Sequence, residues 1–313
     1  MFKQIAKKIW SDYSIVLVTL LIVIVCSIAA PRFLTINNMM AILRNSSIVG
    51  MVALGMTFII IAGGIDLSAG HIVATSGAIL IILQGNPEIP LPVALLACIA
   101  VAVAIGCFSG TLITKANLPP FIVTLAIGII FRSLTLHICR GATITGRNIP
   151  EFTNIGFGSV GFVPYPLIVF LTSAVILGLV LKYTNIGSYV YAVGGNENAA
   201  RYSGINVHRV RIFTYTLLGA CIGIAAILDF SRMAAVSATQ SALHYEFDAI
   251  TAVVIGGTPL SGGRGRIIGT IMGVFILGIV SNIMVMMNIS PFLSGFVKGV
   301  IILIAVLLQK QDK

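Results

Sequence analysis

"LPVALLACIAVAVAIGCFSGTLI", residues 91–113, carries no charged side chain from end to end. Coiled as an α-helix it rises about 34 Å, enough to cross roughly 30 Å of hydrocarbon. A lipid-exposed segment must satisfy its backbone hydrogen bonds internally, and a single helix does so without help from its neighbours. Comparable runs recur along all 313 residues, which are 58% hydrophobic and only 9% charged, with a mean hydropathy of +1.08. Length alone suggests two soluble domains, but this composition excludes them and predicts an all-α, polytopic integral membrane protein. No linker or low-complexity block divides it, so residues 1–313 read as a single transmembrane domain.

About ten spans are predicted: Tyr13 to Ala30, Ser46 to Ala62, Leu67 to Leu83, Leu91 to Ile113, Phe121 to Cys139, Tyr165 to Leu181, Arg211 to Phe230, Phe247 to Ile255, Ile267 to Met287 and Phe292 to Leu308. The eighth is too short to cross alone at 1.5 Å per residue, and either borrows flanking residues or is a half-helix. Lys3, Lys7 and Lys8 before an apolar run ending in Ser27-Ile28-Ala29 resemble a secretory signal. The run is long for a signal, and an uncleaved first span is the preferred reading.

Lys and Arg set the orientation. With the N-terminus inside, the inner segments hold Lys3, Lys7, Lys8, Lys115, Lys182, Arg201, Arg209, Arg211, Arg264, Arg266, Lys310 and Lys313. The outer segments hold Arg32, Arg44, Arg140, Arg147 and Arg232, while Arg132 and Lys298 fall within spans. This excess predicts cytoplasmic N- and C-termini. The net charge of +10 is then a topology signal and an affinity for anionic membrane lipids. The basic residues form no stripe interleaved with aromatics, so nucleic acid is not an expected partner.

Cys26, Cys98, Cys107, Cys139 and Cys221 are scattered in or beside spans without a C-x-x-C pair, and read as small packing residues. Asn45-Ser46-Ser47 and Asn288-Ile289-Ser290 match the short glycosylation pattern on the expected outer side. Catalysis is poorly supported: no phosphate loop, H-E-x-x-H or clustered metal-ligand set occurs, and no catalytic or metal-ligating residue is expected.

Three groups of residues are candidate sites. The first is an internal likeness: "GGIDLSAG" at Gly63 to Gly70 and "GGTPLSGG" at Gly256 to Gly263 share G-G-x-x-L-S-x-G. Both fall at inner ends of spans, as a parallel repeat would place them, and paired glycine breaks point to a transport pathway. Gly63, Gly64, Asp66, Ser68, Arg132, Gly256 and Gly257 are therefore candidate pathway or helix-break residues. Asp66 is suited to cap a helix beginning at Leu67, and Arg132 either snorkels or lines the pathway. The second group is Asp229, Arg232, Glu246 and Asp248, which bracket an outer segment and either pair with one another or offer polar groups at an outer mouth. The third is "AVGGNENAARYSGINVHRVR", residues 192–211, an unusually polar inner stretch. Asn196 is placed to start a short helix through Glu197 and Arg201, with Gly204 ending it, and such an element in a solvated loop suits a docking site.

"AVGGNENAARYSGI", "GGIDLSAG" and "YEFDAITAVVIGGTPLSGGRGRIIGT" together resemble the membrane permeases of bacterial ATP-binding-cassette importers for monosaccharides, the ribose permease group in particular. The likeness runs from about Pro31 nearly to the C-terminus. It implies the importer permease fold, residence in the bacterial inner membrane, and a dimer with a second copy or a paralogue. It also implies a cytosolic ATP-binding-cassette ATPase and a periplasmic sugar-binding protein as partners. ATP and magnesium would be bound by the ATPase and no cofactor by this chain. The family's coupling segment falls at about residues 183–210, with Gly194, Gly195, Asn196, Glu197, Ala200, Arg201 and Gly204 matching its motif. The family commonly has Ser at His71 and Pro259, Leu at Tyr202 and Gly at His244, departures that bear on partner and substrate. The competing reading is an ion-coupled secondary transporter of a small polar solute, with Asp66, Asp229 and Arg132 as a relay.

Overall fold

The apolar runs fold as helices, and the breaks between them follow proline, glycine and capping side chains. The computed structural model describes residues 19–28, 30–290, 293, 295–300 and 303. In chain order it contains α1 (Thr19–Ile28), α2 (Ile36–Ile61), α3 (Ala69–Gly85), α4 (Leu91–Lys115), α5 (Pro120–Ile138), β1 (Thr143–Thr145) and α6 (Pro150–Phe157). There follow β2 (Ser159–Val160), β3 (Val163–Pro164), α7 (Tyr165–Tyr183), α8 (Asn185–Gly195), α9 (Glu197–Tyr202), α10 (Val207–Met233), β4 (Ala235–Ser237), α11 (Tyr245–Ile255) and α12 (Ile267–Met286). A helical segment at 295–300 comes last. Proline occupies the first turn of α4, α5, α6 and α7, where its missing N–H costs nothing.

Among the described residues six helices, α2, α4, α5, α7, α10 and α12, are long and apolar enough to cross a membrane, and α1 and α3 are shorter apolar helices. The protein is a multi-pass helical membrane protein. Burial sorts the helices into two classes. In their most apolar stretches α2 is 89% buried and α10 67%, against 28% for α4 and α5. So α2 and α10 form the centre, while α4, α5 and α7 present Leu96, Phe108, Ile129 and Val175 outward, as lipid-facing helices do.

Van der Waals packing has to hold such helices together, because lipid tails are as apolar as leucine. Gly106 and Gly110 on α4, and Gly219 and Gly223 on α10, are each spaced as small-xxx-small, and a Cβ at Gly106 would stand 3.3 Å from Gly219 Cα. A Cβ at Gly110 would stand 2.9 Å from Ile212 Cα, and one at Gly223 2.7 Å from Ile99 Cα. Thr57 and Thr270 join α2 to α12 through a buried hydroxyl pair at 2.8 Å. Two small antiparallel ribbons cap one end: β1 with β4, Ile144 opposite Val236, and the β2–β3 hairpin.

Several expected boundaries shift. The second span begins at Ile36 rather than Ser46, because Asn38, Arg44 and Asn45 find protein partners and need no water. The third begins at Ala69 rather than Leu67. The eighth is the short helix α11, half a crossing in length. The inner stretch after Lys182, read as loop around one short helix, holds two, α8 and α9. The first and tenth spans lie partly outside the described residues. Asn45 sits within α2 bonded to Arg232, with Ser47 fully buried, so the first glycosylation pattern is not a surface loop.

Candidate functional site

Side-chain caps build the polar stretch from α8 to α10. Thr184 Oγ1 accepts from Gly187 N at 3.3 Å to start α8. Asn196 separates α8 from α9, its Oδ1 accepting from Ala199 N at 2.9 Å, and Asn206 does the same for α10 with Arg209 N at 3.0 Å. Each cap satisfies an orphan N–H of a first turn. Gly204, at φ +81°, lets the chain turn back after α9, with Ile205 N donating to Ala200 O at 3.0 Å.

Glu197 holds two arginines at once: Arg201 Nη2 at 3.0 Å and Arg211 Nη2 at 2.6 Å. It thereby ties α9 to the first turns of α10. Ala200 faces inward, whereas Arg201 is exposed and Tyr202 is 91% exposed. The expected short helix is present with its predicted cap and stop. What it presents to solvent is a polar surface of Asn196, Asn198, Arg201, Tyr202 and Ser203.

Beneath that surface three glycine segments meet backbone to backbone. A Cβ at Gly194 would collide with Ile61 O, at the end of α2, and stand 2.8 Å from Gly263 N. Gly263 N itself donates to Ile61 O at 2.9 Å. A Cβ at Gly262 would lie 3.0 Å from Gly63 Cα, and one at Gly263 2.9 Å from Gly195 Cα. Gly63, Gly262 and Gly263 have φ of +79°, +78° and +74°, where side chains are strained. The two G-G-x-x-L-S-x-G motifs therefore lie at the same end of the bundle and touch. Gly194 and Gly195 of α8 complete the junction. Tyr191 bolts it, its hydroxyl donating to Gly265 O at 2.7 Å. Burial pushes that phenol above its usual range, with nearby Arg266 opposing, so it remains a donor at neutral pH.

From the first motif, Tyr215 of α10 donates to Ile65 O at 3.2 Å, and Gly64 leaves room for that hydroxyl. Asp66 is buried and accepts from Ser68 N at 2.7 Å and Ser68 Oγ at 2.6 Å; because α3 begins at Ala69 with Ser68 in the N-cap position, Asp66 stands two residues ahead of the cap it was expected to fill and orders the approach to the helix instead. Leu67 N donates to Thr124 of α5 at 3.1 Å. Gly70, in the first turn of α3, packs against the Glu246 carboxylate and Tyr245 N, so the N-termini of α3 and α11 converge. In the second motif Gly256 ends α11 against Gly269 of α12, and Gly257 has φ +87°.

At the opposite end of the bundle the expected outer charges are paired. Asp229 accepts from Arg232 at 3.3 Å and from Tyr245 Oη at 2.9 Å. Arg232 also reaches Asn45, joining α10 to α2. Asp248 pairs with Lys298 at 2.7 Å. Glu246 stands apart from these, buried against α3. Arg132 donates to Thr239 O, which anchors α5 to the loop after β4. Asp66, Asp229 and Arg132 thus bond to separate neighbours rather than to one another.

Sequence reasoning missed Tyr191, Tyr245, Asn38, Asn45 and Asn282. Asn38 and Asn282 exchange amide hydrogen bonds of 3.0 and 2.8 Å across 244 residues of chain. An asparagine near the end of an apolar run was the only signal. The five cysteines are free, and no group of three or more metal-binding side chains is found among the described residues.

The family model described as "Branched-chain amino acid transport system / permease component" matches residues 38–306. The chain is 38% identical over 314 residues to the ribose import permease protein RbsC of Escherichia coli (strain K12), covering 98% of this chain and 96% of that one. It is 44% identical over 298 residues to RbsC of Bacillus subtilis (strain 168), with 93% and 90% covered. To the D-allose transport system permease protein AlsC of Escherichia coli (strain K12) it is 33% identical over 302 residues, with 96% and 92% covered. No solved structure matches the chain.

Proposed function

This chain belongs to the family of branched-chain amino acid transport system permease components, and we propose that it is the transmembrane subunit of an ATP-binding-cassette importer for ribose or a related monosaccharide. It is a permease subunit rather than an enzyme; hydrolysis belongs to a separate ATPase. The relatives named for ribose and allose import support the substrate class. In this reading the chain lies in the bacterial inner membrane with both termini cytoplasmic and about ten spans, and pairs with a second copy or a paralogue. A periplasmic sugar-binding protein delivers the solute. A cytosolic ATPase pair binds ATP and magnesium and docks on α8 and α9.

The observation that carries the coupling role is the glycine junction. A polar surface with a highly exposed Tyr202 sits directly on backbone contacts to both glycine motifs. Displacing α8 by even an ångström must move Gly63 and Gly262 with it, since close-packed backbones without side chains leave nothing to absorb the shift. From Gly63 the displacement reaches α2 and α3, and from Gly256 to Gly263 it reaches α11. That short helix of 11 residues spans about 16 Å and ends at Tyr245 and Asp248, among the outer charge pairs. ATP binding and loaded receptor then need only favour different states of one bistable bundle.

Ion coupling is not favoured, because Asp66, Asp229 and Arg132 are each engaged elsewhere. The test is uptake of radiolabelled ribose by cells lacking their own ribose permease, with the cognate ATPase and binding protein supplied. Uptake that requires all three subunits supports the importer. Uptake that survives without the ATPase and follows an ion gradient refutes it.

A further inference from the structure

Between α2, α11, α12 and the 295–300 segment lies a cavity of about 560 Å³, within the roughly 300–1,000 Å³ of small-molecule sites. It lies at the end of the bundle opposite α8 and α9, and α11 runs between the two. Its wall sets a polar cluster among apolar side chains such as Ile42, Val49, Leu277 and Met286. Asn38 and Asn45 come from α2, Asp248 from α11, Ser281 and Asn282 from α12, and Lys298 from the last segment.

Two features distinguish this wall from ordinary structural pairing. The first is an unmet donor: Ser46 Oγ, on a residue 3% exposed, has no hydrogen-bond partner among the described residues. It faces α12 at Gly278, where any Cβ would strike that hydroxyl, and both residues line the cavity. A buried hydroxyl without a partner is costly, and a polar occupant removes the cost. The second is charge balance: Lys298 is matched by Asp248, and Arg232, which also lines the cavity, by Asp229. The wall therefore offers donors and acceptors in quantity but no net charge. The Asn38–Asn282 pair uses one N–H of Asn282 and, among the described residues, leaves its second without a partner beside the two amide oxygens.

We propose that this cavity is a contact site on the solute's path, fitted to a neutral, hydroxyl-rich molecule of monosaccharide size. The proposal rests on the importer reading and deepens it by naming where the sugar touches the permease. Hydroxyl groups both donate and accept, so they can exchange with amides and serines without stranding a charge. A charged solute would have to break one of the two ion pairs.

The test uses the complete transporter in proteoliposomes, with ATPase and ribose-loaded binding protein. The paired variant Asn38→Leu with Asn282→Leu removes both amides together. It should lower radiolabelled ribose uptake per ATP hydrolysed at least ten-fold while receptor-stimulated hydrolysis continues. An unchanged ratio overturns the proposal. Because the paired variant could fail to assemble, Ser281→Cys is made in a chain whose five cysteines are replaced by alanine. Its thiol should react with a small water-soluble thiol reagent, and more slowly when loaded receptor and ATP drive turnover. A thiol that never reacts, or whose rate ignores turnover, also overturns it. Absence of receptor-dependent, ATP-driven uptake in the unmodified protein would instead overturn the importer reading, and the thiol would still report whether the cavity is open to water.

Discussion

Gly194 is the position where one methyl group should do the most harm. Its Cβ would occupy the place of Ile61 O and crowd Gly263 N, so α8 must separate from both glycine motifs. Gly194→Ala is expected to reduce ribose uptake at least ten-fold with the protein still inserted, measured in cells against membrane abundance on an immunoblot. Gly178→Ala in α7 is the comparison, since its nearest neighbour would be 3.9 Å away; it should transport normally. Tyr191→Phe removes the hydroxyl that bonds Gly265 O, a net loss of about 1 kcal/mol. A lower melting temperature of the detergent-solubilised protein, by a few degrees, is the expected readout. At this scale the sequence was legible wherever the cause is local. Asn196 and Gly204 act on residues a few positions away, and capping rules find them; Asn206 caps α10 in the same local way and was not anticipated. Tyr191 and Gly265 are 74 residues apart, and nothing in either neighbourhood announces the other.

Among the elements, α9 carries the sharpest expectation. Its two ion pairs through Glu197 are partly exposed, and such pairs contribute only about 0.2–1 kcal/mol each. Glu197→Ala with Arg201→Ala should therefore leave insertion and melting nearly unchanged while separating ATP hydrolysis from uptake. Wild-type uptake per ATP in that double variant would contradict a coupling role for α9. Breaking Asp248–Lys298 by Lys298→Met tests the other end of α11. It leaves a carboxylate 15% exposed without its counter-charge, a costly state, and should lower uptake more than the exchange of both residues, Asp248→Asn with Lys298→Met.

Element boundaries were readable where the helix faces lipid, as in α4, and misread where it faces protein. Hydropathy placed the start of α2 ten residues late, because Asn38, Arg44 and Asn45 look like loop residues until Asn282, Phe157 and Arg232 are seen opposite them. The helix α8 was missed for a related reason. It is half apolar and half glycine and polar, and its inward face is packed against Leu181 and Ile61 backbone, contacts no periodicity reveals.

Over the whole molecule, α2 and α10 are the most buried of the long apolar helices, with α4, α5 and α7 as outer cover. The class of the protein was legible from composition alone, because a bilayer demands it. The meeting of the two glycine motifs with α8 was not, because it depends on how the whole bundle closes. Orientation can be checked directly: Ser203→Cys in the cysteine-free background should be labelled by an impermeant reagent in inside-out vesicles and not in right-side-out ones. The most direct measurement is ATP hydrolysis together with ribose uptake by the permease and its ATPase in proteoliposomes, with and without ribose-loaded binding protein. Loaded receptor should stimulate both in parallel. Uptake that proceeds without the ATPase, driven by an ion gradient, would contradict the importer.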